Sequence, residues 1–230
     1  MKYTLTVTSL LLVLIGNAQN GFNLGFKAGV TSTKLIWEFK PSSTSPDEKV
    51  ESRRYRGYYF QFTSDIARNE RWDWNASLGV LQKNGDFDFF SAPQGSLLVS
   101  SNVYKWTYLS FTNLFRGKLR LGKASYFTGS VGPRIDYLLK NSNDSFSQGG
   151  IFFYRDNDDI KKINLGLNAG VGVMFRVNKL QFGFEASRNV NFNRIMNVKG
   201  PRADGLGDEG FYFRIIDRTV IFNTMLLLTF

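Results

Sequence analysis

Apolar and polar residues take turns along much of this chain, with a period of two. Phe22, Leu24, Phe26, Ala28 and Val30 share one face of an extended segment, and Asn23, Gly25, Lys27, Gly29 and Thr31 share the other. Such alternation marks a strand with one apolar and one polar side. It recurs from about Arg56 to Ile66, Trp72 to Lys83, Phe127 to Tyr137, Ile163 to Val177 and Leu180 to Ser187. A less regular strand is expected near Tyr104 to Phe115, where Leu109, Phe111 and Phe115 take the apolar side and carry Asn113 with them. The final segment, Val220 to Phe230, places Val220, Phe222, Thr224, Leu226, Leu228 and Phe230 on one face and brings the strands to eight.

The connections alternate as well. Short turns are predicted at Ala67–Arg71, Gly117–Lys123 and Asn178–Lys179, and long polar loops at Lys34–Arg54, Asn84–Val103, Asn141–Lys162 and Asn191–Arg214. Short periplasmic turns alternating with long extracellular loops are the layout of an outer-membrane barrel. Strands of ~9–11 residues suffice to cross a bilayer when tilted. The pattern therefore predicts an all-β fold, an eight-stranded antiparallel transmembrane up-and-down β-barrel.

Which side is polar decides between this and a water-soluble sandwich. A sandwich buries its apolar faces against each other. A lipid-embedded barrel turns them outward and encloses the polar faces, here rich in Gly, Asn, Ser and Thr with Lys27, Asp65, Asp73, Lys83, Arg134, Asp136, Arg176 and Glu185. An eight-stranded lumen is about wide enough for side chains alone. Lys27, Asp73, Arg134, Asp136, Arg176 and Glu185 are expected to form a charge network there, with opposite charges pairing to limit the cost of burial.

Residues 1–18 read as a signal peptide. Lys2 is the charged start, Leu10–Ile15 the apolar centre, and Gly16 and Ala18 the small residues before cleavage ahead of Gln19. The apolar run is too short for a spanning helix. The barrel is expected to occupy residues 19–230. Loss of Lys2 takes the net charge from +10 to +9.

The segments Tyr108-Leu109-Ser110-Phe111-Thr112-Asn113-Leu114-Phe115-Arg116 and Tyr126-Phe127-Thr128-Gly129-Ser130-Val131-Gly132-Pro133-Arg134-Ile135-Asp136-Tyr137-Leu138-Leu139 carry a family likeness. So do the Gly16–Gln19 junction and the opening strand. Together they resemble the small outer-membrane barrels of Bacteroidota, called PorT-like or porin-family proteins. Thr112 departs from the proline often found there. The resemblance implies an eight-stranded outer-membrane barrel and little about activity.

Composition narrows the chemistry. The chain has no cysteine and no histidine. Disulfides, thiolate chemistry and cysteine- or histidine-based zinc or haem sites are excluded, as are Ser-His and Asp-His catalytic arrangements. Asp86 with Asp88, or Asp156 with Asp158 and Asp159, fall in polar loops and read as solvated carboxylates; the second set lacks the spacing of an EF-hand. Gly205–Gly210 lacks the strand–turn–helix context of a nucleotide loop. The basic surplus is dispersed, which argues against nucleic acid. Arg53, Arg54, Arg56 and Arg188 fall where lipopolysaccharide phosphates could meet the rim, with solvated mixed-charge loops as the plainer reading.

The expected protein is thus a non-enzymatic barrel without cofactor or metal, in the outer membrane of a Gram-negative bacterium. It would work through its loops or outer wall, as an accessory subunit of a larger assembly or as a structural membrane protein. A small pore or transporter, and a surface adhesin or receptor, are the alternatives. Expected partners are outer-membrane lipid and lipopolysaccharide, other outer-membrane proteins, and the barrel-insertion machinery, which would read Phe222, Leu226, Leu228 and Phe230 as an assembly signal.

Overall fold

Each alternating stretch forms a strand in the computed structural model, which describes residues 22–40, 48–67, 71–91, 98–145, 160–199 and 212–230. In chain order the strands are β1 (Phe22–Lys40), β2 (Glu48–Glu51), β3 (Tyr55–Ala67), β4 (Trp72–Ser91), β5 (Leu98–Arg120), β6 (Ser125–Ser145), β7 (Ile163–Val177), β8 (Leu180–Asn191), β9 (Met196–Lys199) and β10 (Tyr212–Thr229). Eight of them pair antiparallel with their neighbours, and β10 pairs back onto β1 to close the barrel. β2 and β9, four residues each, add rungs to the outer stretches of β1 and β10. No helix is long and apolar enough to cross a membrane among the described residues.

The apolar side faces out. Phe62 is 69 % exposed and Leu226 40 %, whereas Asn168 is 4 % and Glu185 6 %. A water-soluble sandwich would require the reverse. Along the middle of the eight barrel strands the outward positions form an apolar coat in which aromatic rings meet across strands. Phe26 stacks on Phe60, and Trp72 and Trp74 both pack against Phe115 close to the short-turn end. Such girdles suit the membrane interface, where one edge of the ring is wet.

One end carries the start of β1, the close of β10 and the short connections between β3 and β4, β5 and β6, and β7 and β8. The other end carries longer projecting hairpins, and here the sequence reading needs correction. The segment Asn84–Val103 was expected to be a loop, yet β4 runs to Ser91 and β5 begins at Leu98. Likewise β1 continues to Lys40 and β6 to Ser145. Beyond the lipid a hairpin needs no apolar face; paired backbone groups suffice to hold it. Alternation therefore stops before the strands do. The signal peptide at 1–18 lies outside the described residues, as do Asp156, Asp158, Asp159 and the Gly205–Gly210 stretch.

The ladders differ in length. β1 and β10 pair from Asn23–Thr229 to Lys40–Tyr212. β3 and β4 pair only from Ala67–Asp73 to Tyr59–Leu81. Farther out their edges are joined by the Asn84 amide donating to the Arg56 carbonyl at 2.6 Å, while Thr31 of β1 donates to the Gln82 carbonyl at 2.6 Å.

Candidate functional site

Inward positions on successive strands gather the charged side chains into two groups stacked along the barrel. Nearer the termini, Arg116 donates to Asp65 at 2.6 Å and lies 3.8 Å from Asp73. Lys118 pairs with Asp73 at 3.0 Å. Lys27 donates to Asn75 at 3.0 Å and approaches Glu185 at 3.7 Å, and Asn75 itself donates to Asp65. Nearer the hairpins, Lys83 sits 3.2 Å from Asp136 and 3.0 Å from Asp217. Arg134 reaches Asp136 at 3.1 Å, and Asn191 accepts from Arg134 while donating to Asp217. Lys83 also lies over the Tyr108 ring, 4.9 Å from its centre.

Apolar layers alternate with these ionic ones. Met174, Met225 and Leu227, with Tyr126 against them, fill the terminal end. Tyr59, Leu81 and Ile221 form a middle layer. Its position follows from order along the strands: Leu81 falls between Asn75 and Lys83, and Ile221 between Asn223 and Asp217. At the hairpin end Leu35, Trp106, Tyr108 and Ile215 pack with Ile160 and Ile195 from the connecting segments. Those segments are laced together, with Lys161 donating to the Ile195 carbonyl and Ile195 to that of Ile215. Among the described residues, apolar and ionic groups thus follow one another along the lumen.

The charges balance. Among the described residues the buried acids are Asp65, Asp73, Asp136, Glu185 and Asp217, and the buried cations are Lys27, Lys83, Arg116 and Arg134. Lys118 supplies the remaining positive charge. Removing water from these groups is tolerable because each acid has a cation against it.

The residues expected to form this network divide. Lys27, Asp73 and Glu185 belong to the first group, and Arg134 and Asp136 to the second. Arg176 belongs to neither: it is exposed, one residue before β7 ends, and donates to the Asn178 carbonyl in the turn. Its position is on the inward side, but the wall stops there and the interior has become open water. Arg116 and Asp217, both central to the ion pairs, were not singled out by sequence reasoning. Arg116 carries the opposite parity to Phe115, which was the available signal. Asp217 precedes the point where apolar alternation begins in the last strand.

At the rim, Arg53 and Arg54 are exposed between β2 and β3, in a segment pinned by the Leu35 amide donating to Ser52 at 2.9 Å. Arg56 and Arg188 are exposed on the outward side of β3 and β8. They flank a level of the wall: Arg56 is opposite Ser32, Ser32 opposite Val220, and Val220 opposite Arg188. One step farther out Lys34 is opposite Arg218. Lys34 donates to Glu51, and that hydrogen bond holds the Glu51 carboxyl below its usual range. Phe222, Leu226 and Leu228 project from β10 into the apolar coat, and Phe230, just past its end, is exposed.

A family model described as outer membrane protein beta-barrel domain matches residues 17–197. No curated protein matches the chain. Among solved structures, the outer membrane protein OprG from Pseudomonas aeruginosa is similar, with a TM-score of 0.57 and 13 % identity over 91 % of this chain and 96 % of that one. The outer membrane protease OmpT from Escherichia coli gives 0.45 at 9 % identity, covering 92 % and 97 %. The attachment invasion locus protein Ail of Yersinia pestis gives 0.31 at 10 %, covering 89 % and 99 %. At such identity the OprG likeness speaks to the fold alone.

Proposed function

This chain belongs to the outer membrane protein beta-barrel domain family, and from that premise we propose that it is a closed, non-catalytic barrel acting through its outer wall and projecting hairpins. The observation that carries this is the filled lumen: three apolar layers and two ion-paired layers lie across any path for solute. A pore needs continuous water, and these layers interrupt it. The absence of histidine argues in the same direction for catalysis.

On this reading the terminal end is periplasmic and the hairpins face outward, after export on a cleaved signal from residues 1–18. The barrel-insertion machinery reads Phe222, Leu226, Leu228 and Phe230. A role as an accessory subunit of a larger outer-membrane assembly is one form of this reading. The reach of the β4–β5 hairpin beyond the bilayer also favours a receptor or adhesin at the surface.

Planar-bilayer recording of the refolded full chain tests the central point. The expected result is no stable conductance. Steady unitary currents that scale with salt would overturn the closed-barrel reading and restore the pore.

A further inference from the structure

We infer that the outer wall at the closing seam, on strands β8, β10, β1 and β3, is a binding site for a phosphorylated, multiply acylated glycolipid of the lipid A type. Two separate features meet there. The first is a set of cations facing away from the barrel on four adjoining strands. Arg188, Arg218, Lys34 and Arg56 lie on β8, β10, β1 and β3 in turn, and all four project outward. At a strand spacing of ~4.8 Å they span roughly 14 Å. Lys34 is largely engaged by Glu51, whose carboxylate also feels Arg218. Arg56 and Arg188 form no salt bridge among the described residues. Three guanidinium groups therefore stand in excess over one carboxylate. Guanidinium presents paired donors suited to phosphate oxygens.

The second feature lies directly below, toward the hydrocarbon. A concavity of about 730 Å³ opens on the lipid-facing side, walled by Phe184 and Phe222 and floored by Ala28, Ala186, Thr224 and Val171. That volume is within the ~300–1,000 Å³ range of small-ligand sites. Ala28, Thr224 and Ala186 on three neighbouring strands open it between Phe184 and Phe222. Ala186 is opposite both Phe222 and Val171, and Ala28 is opposite Thr224.

Arg188 follows Ala186 by two residues, and Lys34 follows Val30 by four, so the cations stand ~7–14 Å beyond the concavity. Charge above and an apolar recess beneath, overlapping on β8, β10 and β1, is complementary to an amphiphile with phosphate at its head and acyl chains below. The long hairpins are at the charged end, which sets this site in the outer leaflet. The inference rests on the outer-wall reading given above.

The test is binding of purified lipid A and of its enzymatically dephosphorylated form to the full chain refolded in detergent, read by native mass spectrometry and by the heat-modifiable gel shift. Lipid A is expected to bind, and the dephosphorylated form to bind at least roughly tenfold more weakly, the worth of one or two charge-assisted contacts. The double variant Arg188→Gln/Arg218→Gln should show the same loss, and Thr224→Phe, which fills the recess, should weaken lipid A without removing its phosphate preference. Inorganic phosphate should not compete. Equal binding of both lipids, or undiminished binding by the double variant while Thr224→Phe also binds normally, would overturn the site. Competition by inorganic phosphate, or seam-dependent capture of an outer-membrane protein in place of lipid A, would overturn it as well. Conductance is measured separately on the same preparations, so a conducting barrel that keeps lipid selectivity would defeat the closed-barrel reading and spare this one.

Discussion

Arg116 shows what a single residue does inside this barrel. It is fully buried, its Nη1 hydrogen-bonded to Asp65, close to Asp73 and near the Met174 sulfur, while its Nη2 lies near the sulfur of Met225. Truncation to alanine leaves Asp65 without a cation in direct contact and Asp73 held by Lys118 alone. The expected cost is about 3–5 kcal/mol, the usual penalty for stranding a buried charge. Denaturant titration of the refolded protein in lipid vesicles would show it, and a loss below about 1 kcal/mol would mean that water reaches the site. Arg116→Met/Asp65→Asn should recover part of the loss, because both charges then leave together. This residue is also a measure of what the sequence discloses. Parity alone assigns Arg116 to the inside, yet nothing in one dimension says that it meets Asp65, fifty-one positions away. The lone failure of parity, Arg176, comes from the end of a strand, where inside and outside lose their meaning.

Among the elements, β1 and β10 bear the heaviest constraint because they close the ring. Gly29 of β1 lies so near β10 that an added Cβ would overlap the Phe222 carbonyl oxygen and crowd the Asn223 Cα. Gly29→Val is therefore expected to spread the seam. Overpacking of this kind costs about 1–3 kcal/mol. It should lower the folded fraction seen as a gel-mobility shift on heating, as should deletion of Phe230 from the partner strand. An unchanged fraction in the valine variant would show that the seam tolerates more separation than its geometry suggests. The strands themselves were legible where they cross lipid, since each such segment must show one greasy side. Their continuation into the hairpins was not legible, because solvent on both sides removes the demand that writes the pattern.

For the molecule as a whole, alternation, strand number and the absence of long apolar helices were enough to specify a barrel with its polar side enclosed. What stayed hidden was the layering of the interior and the capping of its mouth by Ile160 and Ile195, since both depend on residues brought together only by closure. The unequal ladders have a mechanical meaning. A ring is only as strong as its shortest zipper, and here that is the join between β3 and β4, which above Tyr59 and Leu81 gives way to one side-chain stitch from Asn84 to Arg56, with Thr31 of β1 reaching across to Gln82 of β4. Tension from a stretched bilayer or a tugged hairpin would concentrate there and spare the lengthy β1–β10 closure. Hydrogen exchange should find amides near Arg56 and Gln82 more labile than those near Ile36 and Arg218, and uniform protection would show the load to be shared evenly. A membrane cylinder with one designated line of weakness can yield sideways, into the plane of the bilayer.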